Sequence, residues 1–142
     1  MKIAIGSDHR GVKLKANLIN YLKKYGHKVM DMGPSCEVSC DYPEFAFKVA
    51  QAVVKKNAER GILICNSGLG MTMAASTVKG IRAANCLNVS MARFSREHND
   101  ANVLVLAAGF VKTLQAKRIL GVWLKTKFAA GRHARRVKMF NK

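Results

Sequence analysis

The sequence predicts a three-layer, doubly wound α/β domain of the Rossmann-like kind, built on a five-stranded parallel sheet. Three observations carry this. Short apolar runs alternate with stretches of helical periodicity along the whole chain. The runs "GILIC" and "NVLVLAA" are apolar without a break, as strands covered on both faces are. The segments that follow the runs, such as "GSDH" and "CNSGLG", are small and polar, as expected where parallel strands end in loops.

The elements follow in order. "KIAIG" is the first buried strand. Leu14, Leu18, Tyr21, Leu22 and Tyr25 recur at helical spacing after it, and Gly26 closes that helix. "HKVMDM" is the second strand and "GPSCEVSC" a loop. Asp41 caps the next helix, with Pro43 in its first turn and Glu44 placed for a capping box. Ala46, Val49, Ala50, Val53 and Val54 form its inward stripe. "GILIC" is the third strand, and a helix runs from about Gly70 towards Val78. "IRAANC" is the fourth strand, "SMARFSREH" a helix and "NVLVLAA" the fifth strand. Ala116, Ile119, Leu120 and Trp123 mark a long last helix. One domain spans 1–142, with a basic segment of open conformation over about 128–142.

Composition narrows the function classes. At 49% hydrophobic residues the chain is globular, and the start "MKIAIGSDH" is too short in its apolar run for a secretion signal. No stretch is long and apolar enough to span a bilayer, so a cytoplasmic home is expected. Cys36, Cys40, Cys65 and Cys86 form no CxxC pair and have no matching Cys/His pair. Reduced thiols are expected, and no structural zinc. The formal charge of +17 favours anionic partners, either nucleic acid or small phosphorylated molecules.

The chemistry concentrates at strand ends. In "CNSGLGM", Gly68 and Gly70 permit close backbone approach, and successive N–H groups ahead of a helix make a cradle for negative charge. The same field should depress the pKa of Cys65, making it a candidate base or nucleophile. The alternative is a small core hydrophobe finishing a strand. The loop is not a dinucleotide fingerprint, since it lacks the third small residue and follows the third strand, and there is no Walker A loop. Asp8 and His9 follow the first strand and could bind hydroxyls or relay protons, or Asp8 could cap a helix. His98 in "REHND" suits acid–base work near neutral pH, or a helix end favoured by the dipole. Arg132 and Arg136 share a face if "GRHARR" is helical, and two guanidiniums suit one phosphate.

Together, "IGSDHRG", "DYPEFA", "GILICNSGLGMTMAAS", "KGIRAA", "SREHNDANVL" and "GRHARRV" resemble the type B ribose-5-phosphate isomerases, a family that includes the subunits of galactose-6-phosphate isomerase. The resemblance covers essentially the whole chain. It implies aldose–ketose isomerisation of a sugar phosphate through a cis-enediolate, without metal or other cofactor. It gives Cys65 the role of base, and Asn66, Ser67, Gly68, Leu69 and Gly70 that of anion hole, with Ser67 helping protons pass between oxygens. His98 opens the furanose ring with Asp8 assisting. His9, Arg132 and Arg136 hold the phosphate, and Asn99 binds hydroxyls. The family works as a homodimer whose sites are shared between subunits, and pairing of dimers into tetramers is left open.

The chain departs from that family at four points. Gly109 stands where many members carry arginine, with Lys112 nearby. Ser76 replaces a more usual asparagine, Asn66 replaces glycine, and the charge exceeds what a sugar phosphate requires. Two other substrate classes stand beside the pentose phosphate: a six-carbon 6-phosphate of the allose or galactose type, and nucleic acid. No helix-turn-helix, zinc-finger or RRM motif supports nucleic acid. A non-catalytic relative is disfavoured by the intact Cys65, Ser67, His98 and Asp8.

Overall fold

The computed structural model describes residues 1–141. Its elements are β1 (Lys2–Ser7), α1 (Val12–Lys24), β2 (Lys28–Asp31), α2 (Tyr42–Val54), β3 (Arg60–Cys65), α3 (Leu69–Ser76), β4 (Ala83–Asn85), α4 (Val89–Glu97), β5 (Val103–Ala107), α5 (Thr113–Lys125) and α6 (Arg132–Lys138). A 3-10 turn over Met139–Asn141 follows. The basic segment is therefore helical for most of its length, with Lys142 outside the described residues. No helix among the described residues is long and apolar enough to cross a membrane.

All five strands are parallel, in the order β2-β1-β3-β5-β4. Strand residues alternate between two cores. Ile3, Ile5, Ile62, Ile64, Leu104 and Leu106 face α1, α4 and α5, together with Leu14, Leu18, Ile119 and Trp123. Ala4, Leu63, Cys65, Val103 and Val105 face α2 and α3, with Phe45, Val49, Val53 and Met71. This is the three-layer arrangement expected. Right-handed crossovers explain it: connections that step one way along the sheet lie on one face, and those that step back lie on the other. Most of these side chains are wholly buried. Truncating one such leucine or isoleucine to alanine would cost about 2–5 kcal/mol.

The helix ends show where sequence signals compete. Gly26, at φ +79, ends α1 in a Schellman motif: His27 N–H donates to Leu22 O at 3.1 Å and Gly26 N–H to Lys23 O at 3.0 Å. The capping box expected at Asp41 does not form. The Asp41 side chain makes no cap bond, and Glu44 pairs with Lys48 one turn ahead. Helix α4 instead starts with an unforeseen cap, the Asn88 side chain accepting from Met91 N–H at 2.9 Å. Strand β4 is shorter than "IRAANC" suggested. Ile81 N–H closes a turn onto Val78 O, and Arg82 turns its guanidinium onto Asp100.

Candidate active site

Connections leave β1 and β3 towards opposite edges of the sheet, so the gap between their carboxyl ends is the topological switch point. Cys65 ends β3 there. The residue is 6% exposed, and its sulfur accepts from the Gly68 N–H at 3.1 Å. Gly68, the residue before α3, takes the left-handed conformation with φ +80 and ψ −15, which turns that N–H back onto the sulfur. Ser67 Oγ accepts from Leu69 N–H at 3.3 Å. Thr72 Oγ1 donates to Gly68 O at 2.7 Å.

The expected depression of the thiol pKa is not found. Burial pushes the Cys65 thiol up. The N–H groups of Gly68 and Met71 pull it down, the Asp8 carboxylate adds to the rise, and the Ser67 N–H pulls down again. The cradle acts in the expected sense, but desolvation of a sulfur seated among Ala4, Met71 and Val105 is larger.

Asp8 shares this edge. Its backbone N–H donates to Ile64 O at 3.0 Å, and its buried carboxylate accepts from the N–H groups of Arg10 at 2.9 Å and Gly11 at 3.0 Å. It closes the turn into α1 and is not the helix cap, which is Gly11. His9 lines a cleft of about 330 Å³ with Arg10, Lys13, Glu37, Asn66 and Gly109. His9 Nδ1 lies 4.0 Å from Cys40 Sγ. Asn66 needs no positive φ. A Cβ at Gly109 would lie 2.5 Å from Asn66 Oδ1, so two of the departures meet: the Asn66 amide occupies the space beside a residue that has no side chain. Ser76 is exposed at the end of α3 and lines the cleft that also holds Asn99.

The remaining expected residues lie elsewhere. His98 caps the carboxyl end of α4, which runs back to the amino edge of the sheet ahead of β5. Its ring stacks between Phe94, with centroids 5.0 Å apart, and His133, at 4.3 Å. Arg132 and Arg136 are on α6 with His133 and share a face, as expected. Burial lowers the His133 pKa, and His98, Arg132 and Arg136 lower it further. Asn99 is exposed and lines a second cleft with Arg82 and Phe140. Strands here rise about 3.3 Å per residue, so this set stands on the order of 15 Å from Cys65 within one chain.

A guanidinium clamp that the sequence did not reveal fixes the second set. Asp100, at φ +47, accepts from Arg82 Nη2 at 2.9 Å and Arg96 Nη1 at 2.8 Å. Arg96 also donates to Ala101 O at 2.6 Å. Ala129 N–H donates to Glu97 O at 3.0 Å, tying the tail to His98. Burial and the nearby Arg96 push the Arg60 guanidinium down to about 10. Arg60 lies over Trp123 and donates to its carbonyl at 2.9 Å. Two further neighbours of the thiol loop were also missed. Tyr42 packs so close to Gly70 that a Cβ there would meet its ring at 2.6 Å. Asn85 Nδ2 donates to Ser67 O at 3.0 Å. No group of three metal-binding side chains occurs among the described residues.

Residues 3–140 match the family model described as Ribose/Galactose Isomerase. The chain is 41% identical over 136 residues to ribose-5-phosphate isomerase B of Escherichia coli, covering 96% of this chain and 91% of the other. The solved structure of Clostridium thermocellum ribose-5-phosphate isomerase B superposes with a TM-score of 0.98 at 51% identity, over 99% of this chain and 95% of that one. That of the Mycoplasma genitalium ribose-5-phosphate isomerase B, with bound ribulose-5-phosphate, gives 0.94 at 41% identity, over 97% and 92%.

Proposed function

The chain belongs to the Ribose/Galactose Isomerase family of sugar-phosphate isomerases, and from that premise we propose that it interconverts ribose 5-phosphate and ribulose 5-phosphate with Cys65 as the base. The observation that carries this reading is the Cys65 sulfur at the switch point, with the Gly68 N–H on it and Asp8 beside it. The Cys65 thiolate takes the proton from C2 of the open-chain aldose and returns it to C1. Negative charge passes to the carbonyl oxygen, giving the cis-enediolate, and Ser67 carries a proton between the two oxygens. Backbone N–H groups of residues 66–70 face the charge as it forms. A raised thiol pKa means less thiolate at neutral pH but a stronger base when it forms.

His98 opens the ring, Asp8 assists at the ring oxygen, His9, Arg132 and Arg136 hold the phosphate, and Asn99 binds hydroxyls. Since His98 and Cys65 occupy opposite edges of one sheet, His98, Asn99 and the arginines come from a second copy of the chain. The exposed apolar residues Leu69, Met73, Phe94 and Phe110 support such a partner.

Mixing two variants tests this. Cys65→Ala and His98→Ala should each lose at least about 100-fold in kcat. Subunit exchange between them should restore about a quarter of wild-type activity, because half the dimers then carry one intact site. No recovery would place both residues in one chain's site, and a fully active Cys65→Ala would remove the thiol from the reaction. The same enzyme assayed on ribose 5-phosphate against allose and galactose 6-phosphates decides sugar length.

A further inference from the structure

We propose that Asn85, at the carboxyl end of β4, is a positioning residue that holds the Ser67–Gly68 peptide so that its N–H stays on the Cys65 sulfur. The proposal rests on Cys65 as the base. Asn85 Nδ2 donates to the Ser67 carbonyl at 3.0 Å, and the N–H of that same peptide unit, on Gly68, donates to Cys65 Sγ at 3.1 Å. The amide, the peptide and the sulfur therefore form one directed chain. Each bond polarises the next, so the donor facing the sulfur is stronger than an isolated N–H.

Packing adds to this. Gly68 is left-handed, and a residue of that kind can flip its preceding peptide at little cost. A Cβ at Gly68 would overlap the Asn85 amide, with Cγ at 2.6 Å and Nδ2 at 2.7 Å. The amide fills the space in which the turn would otherwise rearrange. Thr72 holds the next carbonyl, on Gly68, and among the described residues Asn85 is the side chain that bonds the carbonyl of the peptide carrying the thiol's donor. Asn85 Oδ1 is buried without a protein partner, which costs stability. Leucine would fill the same space without that cost, so the amide's contribution lies in its Nδ2 end.

The test is the pH dependence of Cys65 alkylation by iodoacetamide, followed by peptide-resolved mass spectrometry in wild-type, Asn85→Leu and Asn85→Ala proteins. Exposed Cys36 serves as internal reference. In both variants the Cys65 midpoint should move up by half a pH unit or more while that of Cys36 stays put. The kcat for ribose 5-phosphate should fall about 5–20-fold with KM changed less than twofold. Asn85→Ala removes only the amide and decides the matter if the leucine variant does not fold. An unchanged Cys65 midpoint overturns the proposal, whatever happens to activity. Wild-type protein that stays active with Cys65 fully alkylated would overturn the thiol's role as base, while the alkylation midpoints would still report on Asn85.

Discussion

Replacing Asp100 by alanine should destabilise the fold by about 3–5 kcal/mol. The carboxylate receives Arg82 Nη2 at 2.9 Å on one oxygen and Arg96 Nη1 at 2.8 Å on the other. The Arg96 side chain is 8% exposed, Arg82 17% and Asp100 31%. A hydrogen bond to a charged group contributes about 1.5–3 kcal/mol. The partial exposure of Asp100 sets each of the two near the lower figure. Alanine at φ +47 adds about 1 kcal/mol of backbone strain. Both guanidiniums keep a backbone acceptor, Asp100 O at 2.7 Å and Ala101 O at 2.6 Å, which limits the loss. Unfolding entropy for a chain of this length gives about 0.3 kcal/mol per degree, so Tm should drop by about 10–17 °C. The Asp100→Asn variant tolerates positive φ and retains one acceptor, and should cost roughly half as much. Urea unfolding at fixed protein concentration, with the m-value unchanged, measures both. A loss below about 1 kcal/mol for alanine would refute the clamp as a stabilising element.

Burial pushes the Cys86 thiol from 9.0 up to about 11. A raised folded pKa gives stability that is complete below pH 9 and lost as pH rises towards 11, on the order of 2–3 kcal/mol; urea midpoints across that window should fall in the wild type and stay flatter in Cys86→Ala. The Cys65 thiol also lies above its ordinary value, so its alkylation rate in wild-type protein should keep rising beyond pH 9, and a plateau near pH 7 would contradict the dominance of burial. Gly109→Ala sets a methyl 2.5 Å from the exposed Asn66 Oδ1, which swings away, and 3.1 Å from the Asn66 carbonyl, which must give slightly; the fold should lose about 1 kcal/mol, and a loss above about 2 kcal/mol would show that the Asn66 segment does not yield.

The parallel sheet and its three layers were legible because strands that are apolar throughout, alternating with helices, admit few architectures. The carboxyl ends of the strands followed as the place for chemistry, and with them Cys65 and Asp8; which strand ends are neighbours did not. Gly26 was legible as a helix stop because its signal is local. Asp41 misled for a related reason: a cap is a competition between side chains, and Glu44 had Lys48 one turn away. The sign of the Cys65 shift depends on how much burial surrounds the sulfur, which no run of neighbouring residues reports. The clamp on Asp100 joins the turn before β4, α4 and the turn before β5, and the Asn85 bond joins β4 to the loop after β3. Such contacts arise from strand order, so they become visible only in three dimensions.

The thiol edge and the imidazole edge lie at opposite ends of the same sheet. If one site draws the two edges from two copies of the chain, as proposed, a duplicated gene is free to specialise. One descendant need keep only the sulfur and its loop, the other only the ring and the arginines, and each would tolerate decay of the half it no longer uses. The end point is an obligate pair of unlike chains, each inert by itself, reached without any change of backbone.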